Sequence, residues 1–136
     1  MLLRFPDWPQ RLSAFIAERR SRPYEYGAND CGGFVIDGIH ALTGTLLVPE
    51  VGRPASRLAV ARFLAPYGGS VEVWIDSLLG ARLTTPKLAQ RGDVISFEAD
   101  GGLHLALVVG SAAATPGPTG LLWVPRGLWT SGWKVG

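Results

Sequence analysis

The chain has 136 residues, enough for one domain built on one hydrophobic core. Charged residues make up 18% against 47% hydrophobic, and a net charge of +2 gives no basic face for nucleic acid. A single cysteine excludes an intrachain disulfide and a multi-cysteine metal site, and two histidines are too few for a self-contained zinc site, so neither a metal nor another cofactor is expected.

The first ten residues, "MLLRFPDWPQ", lack a long apolar run after a basic start, so no signal peptide is expected. No stretch reaches the roughly 18 apolar residues of a membrane span, and no membrane partner is expected. Trp8, Leu12, Phe15 and Ile16 form a helical stripe closed by the basic residues Arg19 to Arg22 and by Pro23. A second helix runs from Asn29 or Asp30 to Leu42, with Phe34, Val35, Ile39 and Leu42 on one face and Gly44 as its C-terminal cap. "VPEVGRPAS" reads as a loop, followed by helical patterns in "SRLAVARFLAPYG" and "SVEVWIDSLLG". Glu72 and Asp76 read there as a solvated helix face.

After Pro86 the pattern becomes β-rich. "GDVISFEA" and "LHLALVVG" read as strands, "SAAATPGPTG" as a turn-rich connector, and "LLWVP" and "GLWTSGWKV" as closing strands. Asp93 reads as structural. Helices precede strands without βαβ alternation, so the class is α+β with an antiparallel sheet. Three of the five tryptophans, Trp123, Trp129 and Trp133, crowd the last fourteen residues and read as core packing of short strands, with a docking surface as the alternative.

The candidate chemistry centres on Cys31. Asn29 or Asp30 can cap a helix that begins at or beside it. A thiol at that end meets the positive pole of the helix dipole and unpaired backbone N–H groups, which favour the thiolate and can hold an oxyanion. Gly32 and Gly33 lack side chains that would keep a substrate backbone away. A cysteine nucleophile needs a histidine from elsewhere in the fold. His40, nine residues on, lies about 180° around the helix axis and about 13 Å along it, which leaves His104 as the candidate base. On these residues alone, a catalytic pair and a structural pair both stand.

Three segments resemble the NlpC-type papain-like cysteine peptidases, which cleave the peptide stems of bacterial cell walls. "PYEYGANDCGGFV" is similar to that family's Pro-Tyr-x-x-Gly followed by Asp-Cys-Ser-Gly-Phe-Val. "RGDVISF" resembles its Gly-Asp-Leu-Val-Phe-Phe strand, and "GGLHLALVVG" resembles Gly-x-x-His-Val-Gly-Ile-Tyr-Val-Gly. Together they span residues 23 to 110 in the family's order.

The resemblance implies a papain-like fold over a single domain, 1–136, with N-terminal helices packed on a C-terminal antiparallel sheet and a helical insertion at about 56–80. It implies Cys31 as nucleophile, His104 as general base, Tyr24 beside the substrate carbonyl together with Gly32 and Gly33, and Asp30 as a structural cap. Gly32 stands where the family usually has serine. The family orients its histidine with a polar residue on the next strand, and the matching position here is Trp123, which cannot accept a hydrogen bond from an imidazole N–H. A backbone carbonyl or Thr119 is then left to do so.

The implied substrate is a γ-D-glutamyl to diamino-acid amide in a peptidoglycan stem peptide. The compact size resembles versions carried by bacteriophage tails and gene-transfer particles. That implies other tail-tip proteins as partners and a place in the virion tail, with the cytoplasm before assembly. A non-catalytic structural module of such a tail is the alternative, and an acyltransferase or deamidating enzyme is a third.

Overall fold

Residues 2–136 are described by the structure, a computed structural model. Four helices come first: α1 (Trp8–Arg19), α2 (Cys31–Thr43), α3 (Arg57–Leu64) and α4 (Val71–Leu79). Five strands follow: β1 (Val94–Ala99), β2 (Gly102–Val108), β3 (Ala112–Gly117), β4 (Gly120–Pro125) and β5 (Trp129–Trp133). They form one antiparallel sheet in the order β4-β3-β2-β1-β5. The fold is α+β. Among the described residues, no helix is long and apolar enough to cross a membrane.

Three of the four helices, α2, α3 and α4, start where a short polar side chain satisfies a first-turn N–H. Asp30 accepts from Gly33, Ser56 from Ala59 and Ser70 from Val73. α2 stops at Gly44, which takes the left-handed conformation (φ 76°) and returns its N–H to the His40 carbonyl. The expected stripes pack inward: Leu12, Phe15 and Ile16 are buried on α1 with Trp8 half-buried beside them, and Phe34, Val35, Ile39 and Leu42 are buried on α2. Residues 56–80 form two short helices rather than an extended loop.

Strand alternation divides the core in two. Val94, Leu105, Leu107, Ala114 and Trp133 face the helices and pack with α1, α2 and α4. Ile95, Ala106, Val108, Ala113, Val124 and Trp129 face the other way, against Ala89, Leu83 and Phe97. The late tryptophans therefore divide. Trp129 and Trp133 are core, and Trp123 is 48% exposed.

Two expectations are corrected. The "SAAATPGPTG" segment is not a connector, because Ala112–Gly117 is β3, paired with β4 along its length and with β2 at Leu107 and Val108. Its small residues fit a buried strand, and only Pro118 and Thr119 make the turn. Glu72 is not on a solvated face. It is buried, accepts from the Ser96 hydroxyl at 2.6 Å and pairs with Arg82 at 3.3 Å. Asp76 holds Arg82 through two hydrogen bonds and accepts from the Trp133 indole at 2.8 Å.

Asp93 is structural, as expected. Its carboxylate accepts from Gln90 N and Val135 N and pairs with Arg4 at 2.9 Å. Arg4 also donates to the carbonyls of Val135 and Arg91. The segment before α1 and the one after β5 are thus tied to a single carboxylate.

Candidate active site

Cys31 is the first residue of α2, placed there by its cap. Asp30 accepts from Gly33 N at 2.7 Å through Oδ1 and from Gly27 N at 3.1 Å through Oδ2. Asn29, just before it, is buried and donates to the carbonyls of Arg22 and Pro23, fixing the approach of the chain. Both residues of the expected Asn-Asp pair are therefore used, but the helix cap is Asp30.

The backbone N–H groups of Leu105, Gly32 and Cys31 converge on the thiol and favour its ionised form. Burial opposes them and dominates, with the Asp30 charge adding to it, so that the thiol is pushed up to about 11. At neutral pH the resting group is a thiol. This corrects the expectation that the helix start alone would favour the thiolate: the dipole is there, but desolvation outweighs it.

Leu105 follows His104 on β2, so the sheet brings the histidine strand to the thiol. Alternation sets Leu105 and Leu107 toward α2 and His104, with Ala106, on the opposite face. There the His104 ring stacks on Phe97, its partner on β1, with centroids 5.6 Å apart. Its Nε2 lies 3.0 Å from the Ala99 carbonyl oxygen. A carbonyl only accepts, so this contact assigns the proton to Nε2 and leaves the Nδ1 lone pair as the basic site of the neutral ring.

The orienting partner is thus a backbone carbonyl on β1. It is neither of the side chains considered on sequence grounds. Trp123 lies on β4, two strands from β2, and Thr119 is exposed in the β3–β4 turn. The threonine that does serve this region is Thr115, whose hydroxyl donates to Leu105 O at 2.9 Å where β3 parts from β2. His40 is exposed near the far end of α2, away from Cys31.

Tyr24 lines the same cavity as Cys31. Its hydroxyl is pushed well up by burial, then by the nearby Cys31 and Asp30, with Tyr26 stacked edge-on at 5.2 Å. It stays protonated and can donate to a substrate carbonyl.

Gly32 and Gly33 have a different role from the one expected. A Cβ on Gly32 would meet the Trp74 ring at 3.2 Å, and one on Gly33 would meet Asp30 Oδ1 at 2.8 Å and Arg53 Nη1 at 3.4 Å. The glycines admit protein side chains, and Gly33 N is already spent on the cap. The donors left for an oxyanion are the N–H groups of Cys31 and Gly32.

Beside the thiol is a cavity of about 70 Å³, walled by Ile36, Val48, Phe63 and Trp74, with Arg53 also on its lining. The Arg53 side chain is 6% exposed. It pairs with Asp37 at 3.0 Å and donates to the carbonyls of Val48 and Pro49. Asp37 also binds Arg19 at 2.8 Å, and Arg19 reaches Asn29 at 3.2 Å. This network supports the cap from beneath. Sequence reading missed Arg53 and Trp74, because Arg53 sits in the loop after α2 and Trp74 in a helix legible only by its periodicity. Among the described residues, no cluster of three or more His, Cys, Asp or Glu side chains could hold a metal ion.

With the fold and site in view, the chain can be placed. A family profile described as a domain of unknown function (DUF6950) matches residues 3–135, almost the full length, and the chain belongs to that family. Among curated proteins, none matches it.

Proposed function

We propose that this domain is a cysteine peptidase of the NlpC-type papain-like kind, cleaving an amide in a peptidoglycan stem peptide. The observation that carries the reading is the convergence at Cys31, where a capped helix start and three backbone N–H groups meet the strand that bears His104.

On this reading His104 Nδ1 takes the thiol proton as Sγ attacks the carbonyl carbon, since the resting thiol is neutral. The oxyanion is held by the N–H groups of Cys31 and Gly32 and by the Tyr24 hydroxyl. His104 then gives its proton to the departing amine, and a water activated by the same nitrogen releases the acid and regenerates the thiol. In the resting structure the Ala99 carbonyl holds Nε2–H, the task a polar side chain performs in the resembling family. The resting ring stacks on Phe97, on the sheet face opposite α2, so this reading requires the start of β2 to swing His104 toward the sulfur as substrate enters. The setting that fits is a phage tail tip, where the domain docks on other tail proteins and opens the wall locally.

A second reading has its own support. The elevated thiol, the glycines filled by Trp74 and Arg53, and the ring stacked on Phe97 also suit a non-catalytic tail module. Purified muropeptides incubated with wild type and with Cys31→Ala separate the two. Product that depends on Cys31 supports the peptidase, and equal, negligible product from both leaves only the module.

A further inference from the structure

β2 and β3 pair at Leu107 with Ala114 and at Val108 with Ala113, whereas β3 pairs with β4 along its whole length. The register explains where β2 and β3 part. Val108 donates to Asp93 O on the β1 side and Val109 to Ala112 O on the β3 side, so alternation aims the N–H and C=O of Leu105 at β3. Two residues beyond the last pair, the same register sets Pro116 opposite Leu105. Proline has no N–H to give the Leu105 carbonyl, and the ladder stops there.

Leu105 is fully buried, so both of its backbone groups need partners, and each meets a side chain instead of a strand. The carbonyl accepts from the Thr115 hydroxyl at 2.9 Å, and the threonine is itself buried. The N–H faces the Cys31 sulfur at the start of α2. The thiol therefore takes the place of a strand partner, in a gap that Pro116 opens and Thr115 spans. A neutral thiol is a weak acceptor and a thiolate a strong one, so this donor counts for most after the proton has left. Of the other titratable groups around the sulfur, Asp30 opposes its ionisation and Tyr24 keeps its proton. Arg53, on the shared cavity wall, is paired with Asp37.

We propose that Thr115 is a positioning residue: by holding the Leu105 carbonyl across the gap at Pro116, it keeps the Leu105 N–H on the Cys31 sulfur and favours the thiolate there. The arrangement belongs to the fold and needs no substrate. Its part in catalysis rests on Cys31 being the nucleophile of the proposed peptidase.

The thiol itself provides the readout. The chain has one cysteine, so protein labelled with ¹³C-cysteine gives one Cβ signal, whose alkaline titration reports the thiol alone. In wild type the Leu105 ¹⁵N–¹H signal is expected to follow that titration with the same midpoint, and its exchange with solvent to quicken in Cys31→Ala. A Leu105 signal indifferent to both changes overturns the proposal before any threonine variant is made.

Thr115→Val keeps the shape and removes the hydroxyl. It is expected to raise the thiol midpoint by about one unit, a tenfold loss of thiolate at a given pH. It should also blunt the response of the Leu105 signal to Cys31→Ala at neutral pH, and Thr115→Ser should restore both. A lower melting temperature in Thr115→Val with the midpoint unchanged makes the threonine a structural tie alone and overturns the proposal. Muropeptide turnover then separates this from the peptidase reading. A fall of about tenfold in kcat/KM for Thr115→Val, recovered in Thr115→Ser, supports both. The expected midpoint shift in a protein that cleaves no muropeptide supports the positioning and removes the peptidase.

Discussion

The His104 ring and the Ala99 carbonyl lie on adjacent strands of one hairpin, 3.0 Å apart, so the tautomer of the candidate base is set by main chain. A backbone acceptor cannot be lost to a side-chain substitution. The consequences concern His104 itself and the residues that do not hold it.

Replacing His104 by Ala is expected to lower turnover of a muropeptide by about 10² to 10⁴. The melting temperature should change little, because the ring is half-buried and its one hydrogen bond is to a strand already paired. Trp123→Ala and Thr119→Ala should leave turnover unchanged and stability within about 0.5 kcal/mol. A strong kinetic effect of either would mean that the ring is oriented from β4 after all.

The thiol supplies a pH signature. Its value is raised from the ordinary 9.0 to about 11 by burial, so the folded state keeps its proton where the unfolded chain has lost it. Folding stability contributed by Cys31 is therefore complete below pH 9 and falls as pH rises from 9 to 11. Denaturation of wild type and Cys31→Ala across that range should show the wild type losing stability relative to the variant. Iodoacetamide labelling of the resting protein at pH 7 should be slower than that of a free thiol, and a faster rate would show an activated thiolate.

Asp37 joins Arg19 and Arg53 beneath α2, with side-chain exposures of 12%, 9% and 6%. Asp37→Asn leaves the buried Arg53 guanidinium without its counter-charge and Arg19 with only the exposed Glu18 at 3.7 Å, and should cost about 3 to 5 kcal/mol, read from urea unfolding. A loss near zero would place the network in water rather than in the interior.

Gly33→Ala sets two effects against each other. Helix propensity favours alanine by about 1 kcal/mol. The added Cβ would lie 2.8 Å from Asp30 Oδ1, however, and the cap it displaces is worth about 1 to 2 kcal/mol. The melting temperature should fall, and a rise would show that Asp30 can shift without loss.

How much of this could be read in advance depended on how local the signal was. α2 was legible nearly to the residue, because Asp30, the apolar stripe and Gly44 are signals within one element. β3 was not, since the Pro and Gly of "TPGPTG" suggest a turn, and only pairing with β4 makes Ala112–Gly117 a strand. Cys31 and His104 could be singled out as scarce residue types, but the acceptor at His104 could not, because a carbonyl has no letter in the sequence. The two glycines were read as open space, whereas Trp74 and Arg53, 20 or more residues away in the chain, fill it. The same distance hid the burial of Glu72, whose partner Ser96 lies on β1.

Arg4 and Val135, at opposite ends of the fold, meet at Asp93. The ingoing and outgoing stretches of the chain therefore run side by side on one corner of the molecule. A unit with that geometry can be spliced into a surface loop of a larger host without prising the host apart. It can also be reopened at an exposed turn, with its old ends joined by a short linker, and keep the same architecture.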